Sequence, residues 1–152
     1  MGKIISSYKE LNVYDRAMNM AMEIFRITKR FPSEEKYSLT DQMKRSSRSV
    51  CSNLAEAWRK RRYKAAFISK LSDAETEACE TQVWSEIARR CNYITKEEAE
   101  HLEEETDRIM GQIVMMIESA DKWVIKSPSR RFSESPVLSG TSSSSHEPFR
   151  GV

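Results

Sequence analysis

A chain of 152 residues with 4 Gly, 4 Pro and 32% charged residues has the length of one domain and too few turn-formers for a sheet protein. Its net charge is only +2, no apolar run is long enough to span a bilayer, and the N-terminus lacks a secretory core, so a cytoplasmic chain with no membrane segment is expected. The three cysteines, Cys51, Cys79 and Cys91, show no Cys-x-x-Cys spacing, which argues against a disulfide framework or a zinc site.

Residues 1–10 read as an N-terminal extension. Four helical periodicities then follow in residues 11–126. In the first, Tyr14, Ala17, Met18, Ala21, Ile24 and Phe25 recur at three and four, and Phe31-Pro32 closes the segment, because a residue before proline is biased away from helix. In the second, Leu39, Met43, Val50, Leu54 and Ala57 share a stripe, with Ser38 and Asp41 as the expected N-cap pair. The third carries Phe67, Leu71, Ala74 and Ala78, then Val83, Trp84, Ile87 and Cys91. The fourth carries Ala99, Leu102, Thr106, Ile109, Ile113, Met116 and Ala120, and Thr95 with Glu98 forms a capping box at its start.

Short connections force neighbouring helices to run antiparallel. The expected fold is therefore all-α, an antiparallel up-down-up-down four-helix bundle. Residues 127–152 hold nine Ser, three Pro and two Gly, too few apolar groups to offset the entropy of ordering, and read as a disordered tail.

The segment FPSEEKYSLTDQMKRSSRSVCSNLAEAWRKRRY closely resembles the signature of the 23S rRNA intervening-sequence proteins, the S23 family. The resemblance runs through Phe31, Pro32, Glu34, Glu35, Tyr37, Leu39 and Gln42, then Lys44-Arg45, Ser49-Val50 and Asn53-Leu54-Ala55-Glu56. It continues in Glu80-Thr81-Gln82 and Tyr93-Ile94 and covers about residues 8–120. Two positions depart from it: Ala57 stands where many members have Gly, and Cys91-Asn92 precede Tyr93 where a Gly is frequent. The first eases helix continuation, and Asn is the next best residue for a left-handed helix end. The resemblance implies a cytoplasmic helical bundle, commonly a homo-oligomer, with pentamers among the known arrangements. Some members are encoded within insertions of large-subunit rRNA genes. A similar bundle is the accessory protein of diversity-generating retroelements, where it works beside a reverse transcriptase and contacts nucleic acid.

Charge is segregated along the chain. Residues 1–64 hold 15 Lys and Arg against 7 Asp and Glu, whereas residues 65–126 hold 7 against 14. The basic residues cluster as Lys44, Arg45 and Arg48 on the polar side of the second helix, and as Arg59, Lys60, Arg61, Arg62 and Lys64 at its end. Clustered cations of this kind neutralise phosphate without reading bases, so RNA or DNA is the expected partner. Trp58 and Tyr63 bracket the run and either stack on unpaired bases or pack into the bundle. Gln42, Asn53, Glu56 and Glu80 lie beside the apolar stripes and are expected to form a polar network between the second and third helices, with Glu56 paired to Arg45 or another cation.

Glu98-x-x-His101 matches one element of a di-iron bundle, but such sites need two of these elements and the only other histidine is His146 in the tail. No Ser/His/Asp set, glycine-rich phosphate loop or Cys/His nucleophile is present. No metal, no cofactor and no enzyme activity are expected. The function expected is an oligomeric nucleic-acid-binding accessory protein, associated with an RNA or a reverse transcriptase complex. The alternative is an oligomeric protein-interaction scaffold.

Overall fold

Four long helices hold the chain, α1 (Asn12–Thr28), α2 (Leu39–Arg59), α3 (Lys64–Arg90) and α4 (Lys96–Glu118), followed by the single turn α5 (Ala120–Trp123). They are seen in a computed structural model that describes residues 4–126. The tail expected over 127–152 lies outside the described residues, among which there is no strand. Each helix packs on the next, and α1 closes against α4, which makes the antiparallel bundle expected from the short connections.

The core positions repeat with alternating steps of four and three. On α3 they are Phe67, Leu71, Ala74, Ala78, Thr81, Ser85 and Ala88; on α4 they are Leu102, Thr106, Ile109, Ile113 and Met116. This cadence keeps one seam of each helix facing its partners in a gently supercoiled bundle. The third stripe therefore differs from expectation beyond Ala78. Val83, Ile87 and Cys91 face solvent and Trp84 is half-buried, while Thr81, Ser85 and Ala88 point inward. The reason is that a helical hydroxyl satisfies itself on the preceding turn. Ser85 Oγ donates to the Thr81 carbonyl at 2.9 Å, and Thr106 Oγ1 to that of Leu102 at 2.8 Å. Such residues then pack as small groups, and they let α2 and α3 approach until Thr81 Oγ1 lies 2.8 Å from Ser46 Oγ.

Helix ends follow their local chemistry. Thr95 and Glu98 form the expected capping box. At the end of α3, Asn92 takes φ 61°, the Tyr93 amide donates to the Ala88 carbonyl at 2.9 Å, and the Asn92 amide donates to that of Arg89 at 3.0 Å. These two bonds complete a Schellman motif with Asn in the left-handed position. With Ala57 buried, α2 runs on to Arg59. Its N-terminus corrects the expected Ser38–Asp41 cap. The Ser38 side chain makes no capping bond; Glu35 from the preceding 3-10 turn accepts from the Leu39 amide at 3.1 Å and from Ser38 Oγ at 2.7 Å. Tyr93 donates to the other Glu35 oxygen at 3.1 Å, and its ring lies 5.3 Å from that of Phe31. The Phe-Pro and acidic-pair signature thus builds one corner of the bundle. Within the N-terminal extension, Ile5 and Tyr8 pack against the core.

Candidate nucleic-acid interface

The opposite corner is built by the end of α2, the 60–63 turn and α5. Trp58 is 6% exposed and meets Trp123 edge-on, with ring centroids 6.5 Å apart. The Arg61 guanidinium lies 3.4 Å from the Trp58 ring centre, and its Nε donates to the Trp58 carbonyl at 2.9 Å. Burial lowers the Arg61 pKa from its usual value. The Ile125 amide donates to the Arg61 carbonyl at 2.9 Å, tying the chain after α5 to this turn. Trp58 is thus packed rather than offered to a base, while Tyr63 is 68% exposed.

The eight basic residues separate into two sets. Arg45 turns toward α3: it donates to Glu80 at 2.6 Å and to Gln42 Oε1 at 3.2 Å, and stands 4.0 Å from Glu77. Lys64 pairs with Asp121 at 2.8 Å, and its hydrogen bond, then its charge, hold the Asp121 carboxyl below the usual range. Together with the stacked Arg61, these side chains already have partners within the fold. Lys44, Arg48, Arg59, Lys60 and Arg62 have no carboxylate partner among the described residues. Lys44 faces α1, with its ammonium 5.9 Å from the Phe25 ring centre.

The four polar residues beside the stripes also divide. Gln42 and Glu80 meet around Arg45, and Trp84 Nε1 adds a bond to Glu80 at 3.2 Å. Glu77 belongs to the same cluster; burial and the neighbouring Glu80 raise its pKa, against the opposing pull of Arg45. Glu56 makes a separate bridge to Lys70 of α3 at 2.8 Å, which leaves Arg45 to Glu80. Asn53 stays within its own helix and donates to the Ser49 carbonyl at 2.9 Å. Gln42 and Glu56 are 14 residues apart on α2, roughly 21 Å at 1.5 Å per residue, too far for one network.

Glu98 and His101 serve different neighbours. Glu98 caps α4 and pairs with Arg30, whereas His101 Nε2 lies 3.0 Å from Glu23. Among the described residues no group of three or more His, Cys, Asp or Glu is placed to hold a metal ion. Nor is any helix among them long and apolar enough to cross a membrane.

The family described as 23S rRNA-intervening sequence protein matches residues 9–115, from the first 3-10 turn into the last turns of α4. The chain belongs to this family. A crystal structure of a family relative shows the same bundle: a protein of unknown function from the S23 ribosomal protein family of Bacteroides thetaiotaomicron, 32% identical, covering 70% of this chain and 95% of its own, with a TM-score of 0.63. No curated protein matches the chain. Within this family fold, the turn that carries Arg59 to Arg62 is held by the two tryptophans and α5, so the site lies on a braced element.

The sequence pattern did not separate paired from unpaired cations, because the separating groups, Glu80 and Asp121, arrive from α3 and α5. Phe25 was also missed as a surface group. It sits in the apolar recurrence of α1, yet the fold leaves it half-buried beside Lys29 and Lys44.

Proposed function

We propose that this protein is a non-enzymatic accessory protein that binds nucleic acid through backbone phosphate along α2 and the turn that follows. The observation that carries the reading is that Lys44, Arg48, Arg59, Lys60 and Arg62, none of which meets a carboxylate among the described residues, fall together along α2 and the turn after it. A row of uncompensated positive charge repels itself, and polyanion phosphates relieve that repulsion with release of counterions. The test is a salt series with labelled RNA and DNA for the native protein and for Arg59→Ala/Lys60→Ala/Arg62→Ala. Arg61 is spared because it is part of the packing. The expected result is a log–log salt slope shallower by about 2 on single strands in the triple variant. Unchanged affinity and slope in a folded triple variant would remove the reading.

A second observation supports assembly. Val83 and Ile87, 47% and 38% exposed, form with half-buried Trp84 an apolar strip on the outer face of α3. We infer that this strip joins copies of the chain into a homo-oligomer, which repeats the basic row and lets weak sites act together. Val83→Glu/Ile87→Glu should lower the mass in solution; an unchanged mass places the contact elsewhere. Pentameric assembly, a cytoplasmic location and partnership with a reverse transcriptase rest on the family resemblance. The scaffold alternative gains if the strip captures a protein while no nucleic acid binds at low salt.

A further inference from the structure

A trough of two hollows runs along the basic row, the upper one in the α1–α2 seam and the lower one between the residues before α1, the end of α2 and Lys70 of α3. Its upper hollow, about 520 Å³, is floored by Tyr14, Met18, Met22 and Phe25, with Arg48 on the rim and no carboxylate in the lining. Its lower hollow, about 710 Å³, holds Tyr8, Arg59 and Lys60, and the one acid there, Glu56, is paired with Lys70. Ala55 walls both hollows, and the ring of Tyr8 in the lower lining meets that of Tyr14 in the upper one edge-on, 5.0 Å apart. From Lys44 to Lys60 the track follows 16 residues, roughly 24 Å along α2 and its cap. Flat apolar surface inside a row of unpartnered cations calls for a ligand that is itself flat and apolar on one side and anionic on the other.

We propose that this trough is a track for single-stranded nucleic acid, with Phe25 and Tyr14 stacking on unpaired bases while Lys44, Arg48, Arg59 and Lys60 hold the phosphates, an inference that rests on the backbone-binding reading above. A duplex cannot use it. Packed helices lie only about 8–10 Å apart, so a double helix stays outside the seam and keeps its bases stacked within itself. Stacking on aromatic side chains tolerates any sequence, because every base has a π face. The preference should be for strandedness, with no fixed motif.

The experiment compares a single-stranded RNA with a hairpin of equal length at one low salt concentration, for the native protein, Phe25→Leu and Met22→Glu. Thermal melts and solution mass are recorded for each. Phe25→Leu keeps an apolar side chain but removes the ring; Met22→Glu puts an anion on the 46%-exposed rim of the floor. The native protein is expected to favour the single strand, and each variant to weaken single-strand binding roughly 5- to 100-fold while its preference over hairpin shrinks. Equal affinity for both RNAs in the native protein, or an unchanged preference in both folded variants, overturns the track while leaving backbone binding by Arg59, Lys60 and Arg62 intact. A Met22→Glu protein that loses solution mass yet keeps its single-strand affinity assigns the trough to a contact between copies and also overturns it. Failure of the native protein to bind either RNA overturns both this inference and the reading beneath it.

Discussion

Arg45 and Arg48 stand three residues apart on α2 and meet different neighbours. Arg45 sits against Glu80 and near Glu77, a carboxylate whose pKa burial and Glu80 already raise. Arg45→Ala removes the cation from this cluster. The expected cost at neutral pH is about 1 kcal/mol, since Arg45 is half exposed and solvent screens the pair. The sign of the pH dependence follows from Glu77. Its folded pKa lies above its unfolded one and rises further without Arg45, so the folded state binds the extra proton. The deficit of the variant should therefore shrink as pH falls from neutral toward the folded pKa of Glu77. Urea midpoints of both proteins at pH 7 and pH 5 read this directly; a gap that widens at the lower pH contradicts the arrangement. Arg61 and Arg62 make a second contrast. Arg61→Ala loses a guanidinium–indole contact and a bond to the Trp58 carbonyl, and should cost about 1–2 kcal/mol. Arg62→Ala, with no carboxylate partner to lose among the described residues, should leave the melting temperature in place and weaken nucleic-acid binding. A melt of each with one binding curve decides the pair.

Helix caps and stripes show where sequence pattern is sufficient. The fourth helix was legible from its capping box to Met116, because its inward residues are mostly large and apolar, but the break at Ser119 that sets Ala120 in α5 was not. The second half of α3 was not. Its inward positions, Thr81, Ser85 and Ala88, are small or hydroxylated, while Val83, Trp84 and Ile87 lie on another face and outweigh them by eye. Only the strict four-three cadence, carried on from Phe67, marks the true seam. The start of α2 was misread for a similar reason: Ser38 has the right chemistry for a cap, but the carboxylate one turn earlier takes the amide. Glu35→Ala should therefore lower the melting temperature by roughly 2–5 °C, and Ser38→Ala by less. The Ser38 hydroxyl, the Leu39 amide and Tyr93 outweigh slight burial and hold the Glu35 pKa below the ordinary value of 4.5. Its contribution is complete above that value and is lost as pH falls through the folded pKa. The Glu35→Ala deficit should consequently vanish in acid, and a deficit that persists there would show that the residue acts through packing.

Across the whole molecule, the helix seams differ in kind. The α2–α3 seam is long and tightly packed through small residues, whereas α1 and α4 share the thinnest contact. Three charged pairs span that contact: Arg16 with Glu105 at 3.1 Å, Arg30 with Glu98, and His101 beside Glu23 at 3.0 Å. The basic first half and acidic second half of the sequence meet here, and the two Arg pairs do not depend on protonation of histidine. Pairs that solvent still reaches contribute about 0.2–1 kcal/mol each and are screened by salt, the part-buried Arg16–Glu105 pair less so than the others. The first helix is therefore the element expected to open before the bundle unfolds. Cys51 reports on that opening. It is 7% exposed at the base of the α1–α2 hollow, and burial raises its pKa to about 11, so its thiol reacts slowly until α1 lifts. In a Cys79→Ser/Cys91→Ser background, which removes the two exposed thiols, labelling of Cys51 should run roughly three- to tenfold faster at high salt than at low salt, as the Arg pairs are screened. Arg16→Ala should raise the low-salt rate toward the high-salt one and flatten the dependence. Labelling that slows with salt, or that tracks only global unfolding in denaturant, would mean that α1 is held by its apolar face alone. The basic first half would then owe its charge to a ligand rather than to the fold.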